Sequence, residues 1–338
     1  MKASDASSRI AVTVFPLIIL IAGAVGTLLP AVAMPLNAYV PVLLGIVMFG
    51  MGLTLTAPDL RVIVRQPQAV LIGCVAQYVI MPGAAWLIGT LLHLPPQLLV
   101  GLVLLGAAPG GTSSNIVAFL ARGNVALSVA MTSASTLLSP ILTPLIVWLL
   151  AGRYVPVDAL AMMKQIVMIV IIPVVLGLLV RMIGRSRIQA VIPAVPWLSV
   201  AVLAFVIAGI MAKSADVVLN AALPAISAVI LHNAVGFALG LGAGWVGRLG
   251  PAERRAVAVE VGMQNAGLAA ALAVANYSPT ASVPAAIATV WHNVAGAVFA
   301  WLIALERNAP ATVENMGTGF SRSRSTGASA RSSTGRST

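Results

Sequence analysis

Long apolar segments separated by short polar turns make up most of the chain. These segments run for roughly 18–25 residues, the length with which an α-helix crosses about 30 Å of hydrocarbon. The short alternating segments typical of a transmembrane β-barrel are absent. The pattern predicts an all-α integral membrane protein with ten transmembrane helices, spans 1–10, at about 11–33, 38–56, 68–92, 97–120, 125–151, 164–183, 195–213, 222–247, 255–276 and 283–305.

Composition agrees with this class. The chain of 338 residues is 60% hydrophobic and 8% charged, whereas a soluble domain has about 25% charged residues. The net charge of +11 does not indicate nucleic-acid binding, because the basic residues lie at the ends of apolar segments and in the C-terminal tail. The single cysteine, Cys74, lies inside an apolar segment, which excludes a disulfide framework and a Cys/His metal cluster.

The two ends of the chain need separate interpretation. Residues 10–30 resemble a signal peptide, since Lys2 and Arg9 precede them and Ala-Val-Ala follows. Their apolar core of about 19 residues is too long for a signal peptide, so we interpret them as span 1. Residues 307–338 are rich in Ser, Arg and Gly and predict a disordered basic tail after a transmembrane domain of residues 1–306. Such a tail can adsorb to anionic membrane lipid, although a solvated tail is the simpler interpretation.

The positions of Lys and Arg predict the orientation. With an even number of spans both termini lie on one side of the membrane, and sixteen of the 19 basic residues fall on that side. Only Arg153, Lys164 and Lys213 fall on the other side. Because cytoplasmic loops carry the excess of Lys and Arg, both termini are predicted to be cytoplasmic, in a bacterial inner (plasma) membrane.

Similar residues recur at a fixed distance along the chain, which predicts two inverted repeats of five spans each. The matched pairs are Pro16 and Pro173, Asp59 and Asp216, and Pro67 and Pro224, each 157 residues apart, and Asn115 and Asn265, which are 150 apart. In this interpretation Pro67 and Pro224 open spans 3 and 8. Because five is odd, the second half must enter the membrane upside down, as in many secondary transporters.

Spans 4 and 9 carry sequences that interrupt a helix. In span 4, residues 108–112 read Ala-Pro-Gly-Gly-Thr, which removes an amide donor and adds two flexible residues. Residues 113–115 then resemble the cap of a second half-helix. In span 9, residues 260–267 contain two glycines and three polar side chains. Irregular backbone at this depth is tolerated only beside protein or a water-filled cavity, where the half-helix ends can bind ions.

One of the eight carboxylates lies well inside a span. Glu260 is in span 9, whereas the other seven carboxylates lie in loops or at the ends of spans. An ionised carboxylate at this depth costs about 3 kcal/mol or more unless it is paired, and no Lys or Arg is available there. A bound cation is the natural partner, and the alternative is a protonated carboxyl group. The neutral oxygen-bearing side chains nearby suit a hard monovalent ion better than a transition metal.

Neighbouring spans add further polar groups. Ser128 and Thr132 in span 5 are four residues apart and share a helix face, and Gln77 stands alone in the apolar run of span 3. Two His-Asn pairs occupy apolar sequence, at residues 232–233 in span 8 and residues 292–293 in span 10. Either pair can form ordinary interhelical hydrogen bonds. We favour residues 292–293 as cavity-lining, because their span follows the interrupted one.

Three motifs resemble a known family. The segments FGMGLTLTAPDL (49–60), GAAPGGTSSNIVAFLARGNVALSVAMTSASTLLSPILTP (106–144) and EVGMQNAGLAAALA (260–273) are similar to those of the bile acid:sodium symporter family. They are closest to its bacterial branch of bile-acid symporter homologues and ketopantoate/pantoate transporters, and the similarity covers about residues 10–305. The resemblance implies that spans 4 and 9 are unwound and cross. It also implies a panel of spans 1, 2, 6 and 7 and a core of spans 3–5 and 8–10.

The resemblance also implies ligands for two sodium ions and an organic anion. The first sodium site corresponds here to Ser114, Asn115, Ser128, Thr132 and Glu260, and the second to Gln77, Glu260, Gln264 and the backbone carbonyls of Val261 and Met263. The substrate site corresponds to Thr112, Asn265, His292 and Asn293. The anionic group of the substrate is expected at the N-termini of the half-helices.

The predicted function is sodium-coupled symport of a small organic anion by alternating access. The anion is a pantoate- or ketopantoate-like carboxylate or a bile acid, and the sequence leaves this choice open. The alternative is a proton-coupled or exporting organic-anion carrier of the same fold. A membrane enzyme is disfavoured, because it would need paired carboxylates, a His metal cluster or a nucleophile with its base. We expect no nucleic-acid partner and no obligatory protein partner.

Overall fold

The computed structural model describes residues 17–111, 113–213 and 215–308, and within them it is all-helical, as predicted. The α-helices are α1 (Leu17–Leu28), α2 (Pro30–Ala33), α3 (Val40–Thr54), α4 (Ala57–Arg65), α5 (Pro67–Leu91), α6 (Pro96–Gly106), α7 (Ser114–Leu120), α8 (Val125–Ala151), α9 (Ala159–Ile166), α10 (Ile172–Gln189), α11 (Val195–Lys213), α12 (Ala215–Val246), α13 (Pro251–Gly262), α14 (Ala266–Asn276) and α15 (Pro279–Asn308). Two 3₁₀ helices, Met34–Tyr39 and Ile192–Ala194, and one π turn, Val167–Ile171, connect neighbouring helices.

Seven helical segments in the described part of the chain are long and apolar enough to cross a membrane. Three shorter apolar helices, α1, α6 and α14, accompany them. Of these, α6 and α14 are halves of the predicted spans 4 and 9. The count of ten spans therefore stays a prediction. Pro16, the first residues of span 1 and the tail beyond residue 308 lie outside the described residues.

The predicted boundary between spans 1 and 2 is wrong. The turn between spans 1 and 2 falls at Leu29, so that residues 30–33 run into the second span rather than ending the first. Pro30 begins the new helix, where its fixed φ is suitable and its missing donor is not needed. Pro224 lies inside α12, which begins at Ala215, and the part of α12 that is long and apolar enough to cross a membrane begins at Leu223, as predicted for span 8. A proline within a membrane helix is tolerated where neighbouring groups satisfy the freed carbonyl.

Helices α3 and α10 pack closely because both present glycine. A Cβ at Gly52 would collide with the carbonyl of Val174, and a Cβ at Gly177 would collide with the carbonyl of Phe49. The guanidinium of Arg181 adds a hydrogen bond of 2.6 Å to the carbonyl of Leu53. Helix α11 packs on the other side of α3. These three helices form one unit, against which the helices of the predicted spans 3–5 and 8–10 lie.

Contacts between connecting segments join distant parts of the chain at each end of the molecule. At one end, the side-chain amide of Asn124 lies 3.3 Å from Glu253 Oε1. At the other end, the hydroxyl of Ser278 donates to Gln97 Oε1 at 2.8 Å. In the predicted topology the two residues of each pair lie on the same side of the membrane. The contacts therefore fit spans that alternate in direction.

Candidate functional site

The two interrupted helices meet at their breaks. Helix α6 ends at Gly106 and α7 begins at Ser114, while α13 ends at Gly262 and α14 begins at Ala266. Both breaks lie where the glycines, the proline and the polar residues predict them. An extended backbone at these points leaves carbonyl and amide groups without helical partners, and buried groups of this kind must find partners elsewhere.

The breaks supply partners for each other. The amide of Gly111 donates to the carbonyl of Met263 at 2.9 Å, and the amide of Asn265 donates to the carbonyl of Pro109 at 2.8 Å. Gly110 and Gln264 lie between these bonds as an antiparallel bridge. The bridge is a local two-fold arrangement. It places Gly111 as the counterpart of Asn265 within the bridge, and the match of Asn115 with Asn265 stays a prediction.

Glycine is required on one side of this bridge. A Cβ at Gly111 would lie 2.8 Å from the carbonyl oxygen of Gln264, and a Cβ at Gly110 would collide with Oε2 of Glu260. The two backbones can approach only because neither residue carries a side chain. The glycines that predict the break in the sequence are therefore also the residues that bring the carboxylate of Glu260 against it.

All five residues predicted for the first ion site form one buried cluster around Glu260, which is 2% exposed. Oε1 of Glu260 accepts from the hydroxyl of Ser114 at 2.5 Å and from that of Ser128. Oε2 accepts from the hydroxyl of Thr132 at 2.8 Å. Ser128 is also 2.9 Å from Oδ1 of Asn115. Ser128 and Thr132 reach the same carboxylate because they are one turn apart on α8.

The three hydroxyls of the cluster lie near more acceptor atoms than they have protons to donate. Each of its three hydroxyls lies within hydrogen-bond distance of two acceptors. The six contacts join Ser114 to Gly111 O and Glu260 Oε1, Ser128 to Asn115 Oδ1 and Glu260 Oε1, and Thr132 to Ser128 O and Glu260 Oε2. A hydroxyl has one proton, so it can donate to only one of its two neighbours. A buried group of oxygens with this excess of lone pairs suits a hard cation.

The residues predicted for the second ion site make hydrogen bonds at the two breaks. Gln77 donates through Nε2 to the carbonyl of Ala108 at 2.9 Å, and Gln264 donates through Nε2 to the carbonyl of Val261. Gln77 and Gln264 are 2% and 3% exposed. Among the described residues, Oε1 of each amide has no hydrogen-bond partner. Buried amide oxygens are normally satisfied, so two orphaned acceptors beside the breaks call for a donor or a cation.

A small cavity adjoins Gln77 and Glu260. It measures about 10 Å³, close to the space that holds one water molecule. Its other lining residues are Gly73, Cys74, Gly110, Met131 and Ser135. Gln264, Val261 and Met263 do not line it. The Met263 carbonyl is already bonded to Gly111. Gln77 and Glu260 therefore form the part of the second set that faces open space.

A larger cavity of about 330 Å³ lies between the unit of α3 and α11 and the helices that carry the Glu260 cluster. Its lining is mainly apolar, with Met51, Val129 and Leu203 as examples. Asn115 and Thr132 of the cluster also line it. None of its lining residues is Lys, Arg or His. Its remaining lining residues are Val47, Gly50, Thr54, Leu55, Asp59, Ser113, Ile116, Val117, Val195, Trp197, Ser199, Val200 and Asn293.

The four predicted substrate residues do not all line this cavity. Asn293 lines it, whereas Asn265 and His292 do not. The side chain of Asn265 instead caps α14, accepting from the amide of Leu268 at 3.1 Å. His292 is 2% exposed, and neither of its ring nitrogens has a hydrogen-bond partner among the described residues. Thr112 lies outside the described residues.

Sequence reasoning missed the residues that face the cluster from α3 and α11. Trp197 and Ser199 line the cavity from α11 and Met51 lines it from α3, but each stands in an apolar segment with no local signal of function. Thr143 was missed as well, although its hydroxyl donates to the freed carbonyl of Ala107 at 2.7 Å. The role of such a residue can be recognised only from its contacts in the folded structure.

Comparison with known proteins gives a consistent result. Residues 41–221 match the model of the sodium bile acid symporter family. The chain is 41% identical to YocS of Bacillus subtilis (strain 168), described as an uncharacterized sodium-dependent transporter, over 87% of this chain and 91% of that protein. It is 35% identical to the probable sodium/metabolite cotransporter BASS1, chloroplastic, of Arabidopsis thaliana, over 80% and 68%. Identity to the corresponding BASS2 protein of Oryza sativa subsp. japonica is 32%, over 85% and 69%.

Proposed function

Because the chain belongs to the sodium bile acid symporter family, we propose that it couples the inward movement of sodium to the uptake of a small organic anion. The family assignment makes it a multi-pass membrane transporter of a small solute and not an enzyme. Sodium dependence is a property of the family. The two sodium ions, the residues that bind them and the chemical class of the anion are our proposal.

The excess of acceptor oxygens around Glu260 carries the proposal. Three hydroxyls and an amide oxygen surround a buried carboxylate, and no ion pair with a Lys or Arg accompanies it among the described residues. A carboxylate buried without a charged partner is costly. A sodium ion bound by Ser114, Asn115, Ser128, Thr132 and Glu260 would neutralise that charge and satisfy the lone pairs that the three protons leave free.

We assign a second sodium ion to the opposite side of the same carboxylate. Gln77 and Gln264 supply amide oxygens that have no partner in the described chain, and Glu260 is shared with the first site. The carbonyls of Val261 and Met263 complete the proposed set. Both ions together would tie the two breaks to α5 and α8, since the proposed ligands lie on these two helices, on α7 and α13, or in the break between α13 and α14.

The large cavity is the proposed substrate site. Its volume of about 330 Å³ is at the small end of the range for ligand pockets. Its polar groups include Ser113, Asn115 and Asn293, while its walls are apolar. A small carboxylate with an apolar body fits this lining. Because no cationic side chain lines the cavity, we infer that the sodium ions beside Asn115 and Thr132 provide the positive potential for the anion.

This arrangement gives sodium a direct role in substrate binding. Asn115 and Thr132 belong both to the Glu260 cluster and to the lining of the large cavity. Sodium bound at the cluster would therefore fix two groups of the cavity wall and attract the anion to them. A membrane potential contributes about 2.3 kcal/mol per charge per 100 mV to the inward movement of the ions.

Alternating access would use the boundary along which the cavity lies. The proposed panel contains spans 1, 2, 6 and 7, and the proposed core contains spans 3–5 and 8–10, arranged as two inverted repeats. Thr54 and Asp59, near the end of α3, and Trp197, 42% exposed at the start of α11, line the cavity near one end of the molecule. The distribution of Lys and Arg assigns this end to the cytoplasm. We therefore infer an inward-facing conformation, from which the core moves against the panel.

Replacing sodium by potassium at fixed pH tests the coupling. In proteoliposomes we expect uptake of a radiolabelled carboxylate to fall to the level of empty vesicles, because the proposed transport is coupled to sodium. Pantoate, ketopantoate and a bile acid are the substrates to compare. Uptake that continues in potassium and follows an imposed pH gradient would instead support the proton-coupled carrier.

Thr132→Val tests the first ion site. The substitution removes a hydroxyl that donates to Glu260 and leaves a side chain of the same shape. We expect the sodium concentration for half-maximal uptake to rise about 10-fold, since loss of one oxygen from a metal's surroundings typically costs 10–100-fold in affinity. Thr136→Val is the matched control, because Thr136 is 2% exposed and its hydroxyl has no partner among the described residues. Equal shifts in both variants would contradict this assignment.

A further inference from the structure

A row of glycines joins α12 to α13 along the length of α13. A Cβ at any of the three glycines would lie within about 3 Å of a Cα atom of α13, so the two helices are in backbone contact there. The distance from the added Cβ to the facing Cα atom is 2.9 Å between Gly236 and Gly262, 2.8 Å between Gly240 and Ala258, and 3.0 Å between Gly244 and Arg254. Successive contacts move one turn along each helix. Helix α12 therefore forms a rigid support for α13, and the support ends at the break.

Asn233 extends this support to the break itself. It lies nearly one turn before Gly236 on α12, is 1% exposed, and donates through Nδ2 to the carbonyl of Gly262 at 2.7 Å. Gly262 is the last residue of α13, and Met263 has an extended backbone with φ −123° and ψ 93°. The carbonyl of Gly262 has lost its helical partner at this point. Asn233 replaces that partner and fixes the direction of the peptide group between the two carbonyls proposed for the second sodium ion.

Gln77 makes the corresponding contact in the other half of the chain. Its Nε2 donates to the carbonyl of Ala108, just beyond the end of α6. Ala108 comes directly before Pro109, whose carbonyl bonds across the bridge, as Gly262 comes directly before Met263. Gln77 and Asn233 are 156 residues apart, and Ala108 and Gly262 are 154 apart. At both breaks, therefore, an amide side chain of the preceding span donates a hydrogen bond to a backbone carbonyl that has no helical partner.

We propose that Asn233 is a positioning residue for the second sodium site, an inference that rests on the proposed sodium coupling. Asn233 does not contact the ion. It holds the Gly262 carbonyl toward α12, while the neighbouring carbonyls of Val261 and Met263 accept hydrogen bonds from Gln264 Nε2 and the amide of Gly111. Gln77 combines the two roles, because its Nε2 fixes one break while its Oε1 faces the ion site. In the second half these roles are divided between Asn233 and Gln264.

The test is a sodium titration of the purified full-length protein in detergent, with choline replacing sodium at constant ionic strength and thermal unfolding as the measurement. Asn233→Leu removes the donor and keeps the volume of the side chain. We expect the sodium midpoint of stabilisation to rise about 10-fold, with uptake at saturating sodium preserved, because mass action compensates for a poorly positioned site. Asn233→Gln keeps an amide donor and should have a midpoint nearer to that of the original protein than to that of Asn233→Leu.

Thr143→Val is the matched control. It removes a buried hydrogen bond of the same length from a helix side chain to a freed carbonyl, that of Ala107, at the other break. We expect it to lower the unfolding temperature without moving the sodium midpoint. A purely structural role for Asn233 would give the same result for Asn233→Leu, and that outcome would overturn the proposal. If the leucine variant does not fold, Asn233→Ala removes the donor without adding bulk, and an unchanged midpoint there is equally decisive.

Failure of this inference and failure of the proposed function give different results. If the unaltered protein gains no stability from sodium, the sodium coupling is wrong and Asn233 is not at issue. If the unaltered protein responds to sodium and the Asn233 variants respond at the same concentration, the coupling stands and the positioning role is wrong.

Discussion

Glu260→Gln is expected to abolish sodium-dependent uptake, with a loss of about 100-fold or more. The substitution preserves the shape of the side chain and its place among Ser114, Ser128 and Thr132, but it removes the charge that two cations would share. Breaking a buried charged site by removing one partner is strongly unfavourable for binding. Uptake into proteoliposomes, compared between sodium and potassium gradients, measures the effect.

The same substitution should leave the protein folded. In the absence of sodium, a neutral amide in place of a buried carboxylate avoids the cost of burying charge, so we expect an unfolding temperature at least equal to that of the unaltered protein. Glu253→Gln is the matched control, because Glu253 lies on the same helix near its exposed start, where its side chain accepts a hydrogen bond from Asn124. Sodium-dependent uptake that survived in Glu260→Gln would refute the coupling role.

Gly110→Ala is expected to reduce uptake by a similar factor through a different cause. The added methyl group would collide with Oε2 of Glu260, at the point where the two breaks form their bridge. The carboxylate of Glu260 would have to move away from the hydroxyl of Thr132. Because both proposed ion sites share this carboxylate, both would be displaced. We expect sodium to lose its stabilising effect on thermal unfolding, together with a loss of uptake of about 100-fold.

Gly242→Ala and Gly83→Ala are the controls for this substitution. Both glycines lie inside membrane helices, and a Cβ at either position has no atom within 4 Å. Alanine at these positions should preserve uptake and slightly favour the helix. If Gly110→Ala behaved like these two variants, the carboxylate would not be held against the break in the way described.

The sequence predicted those parts of the site whose residues are unusual inside an apolar membrane span. Glu260 could be recognised because a carboxylate inside an apolar span is rare and costly. The break in span 4 could be recognised because Pro109 and its two following glycines cannot continue a helix. Ser128 and Thr132 followed from helical spacing alone. The five members of the first cluster then proved to lie in direct contact.

Other features could not be predicted because they depend on which helices become neighbours. His232 and Asn233 look like His292 and Asn293 in sequence. In the structure the first pair bonds backbone carbonyls of other helices, whereas Asn293 bonds the carbonyl of Thr289 on its own helix and lines a cavity. The apolar residues of α3 and α11 acquire their role only by facing the cluster. Likewise, the sequence alone does not show that α12 begins at Ala215, ahead of Pro224.

By itself, the sequence determined that this protein is a helical membrane protein with two interrupted helices and one buried carboxylate. These properties follow from local physics, namely hydrocarbon thickness, the missing donor of proline and the cost of an unpaired charge. The tertiary structure alone decided that the breaks bond to each other, that three hydroxyls share one carboxylate, and that the cavity adjoins this cluster. Such contacts join residues more than 100 positions apart, and no local rule specifies them.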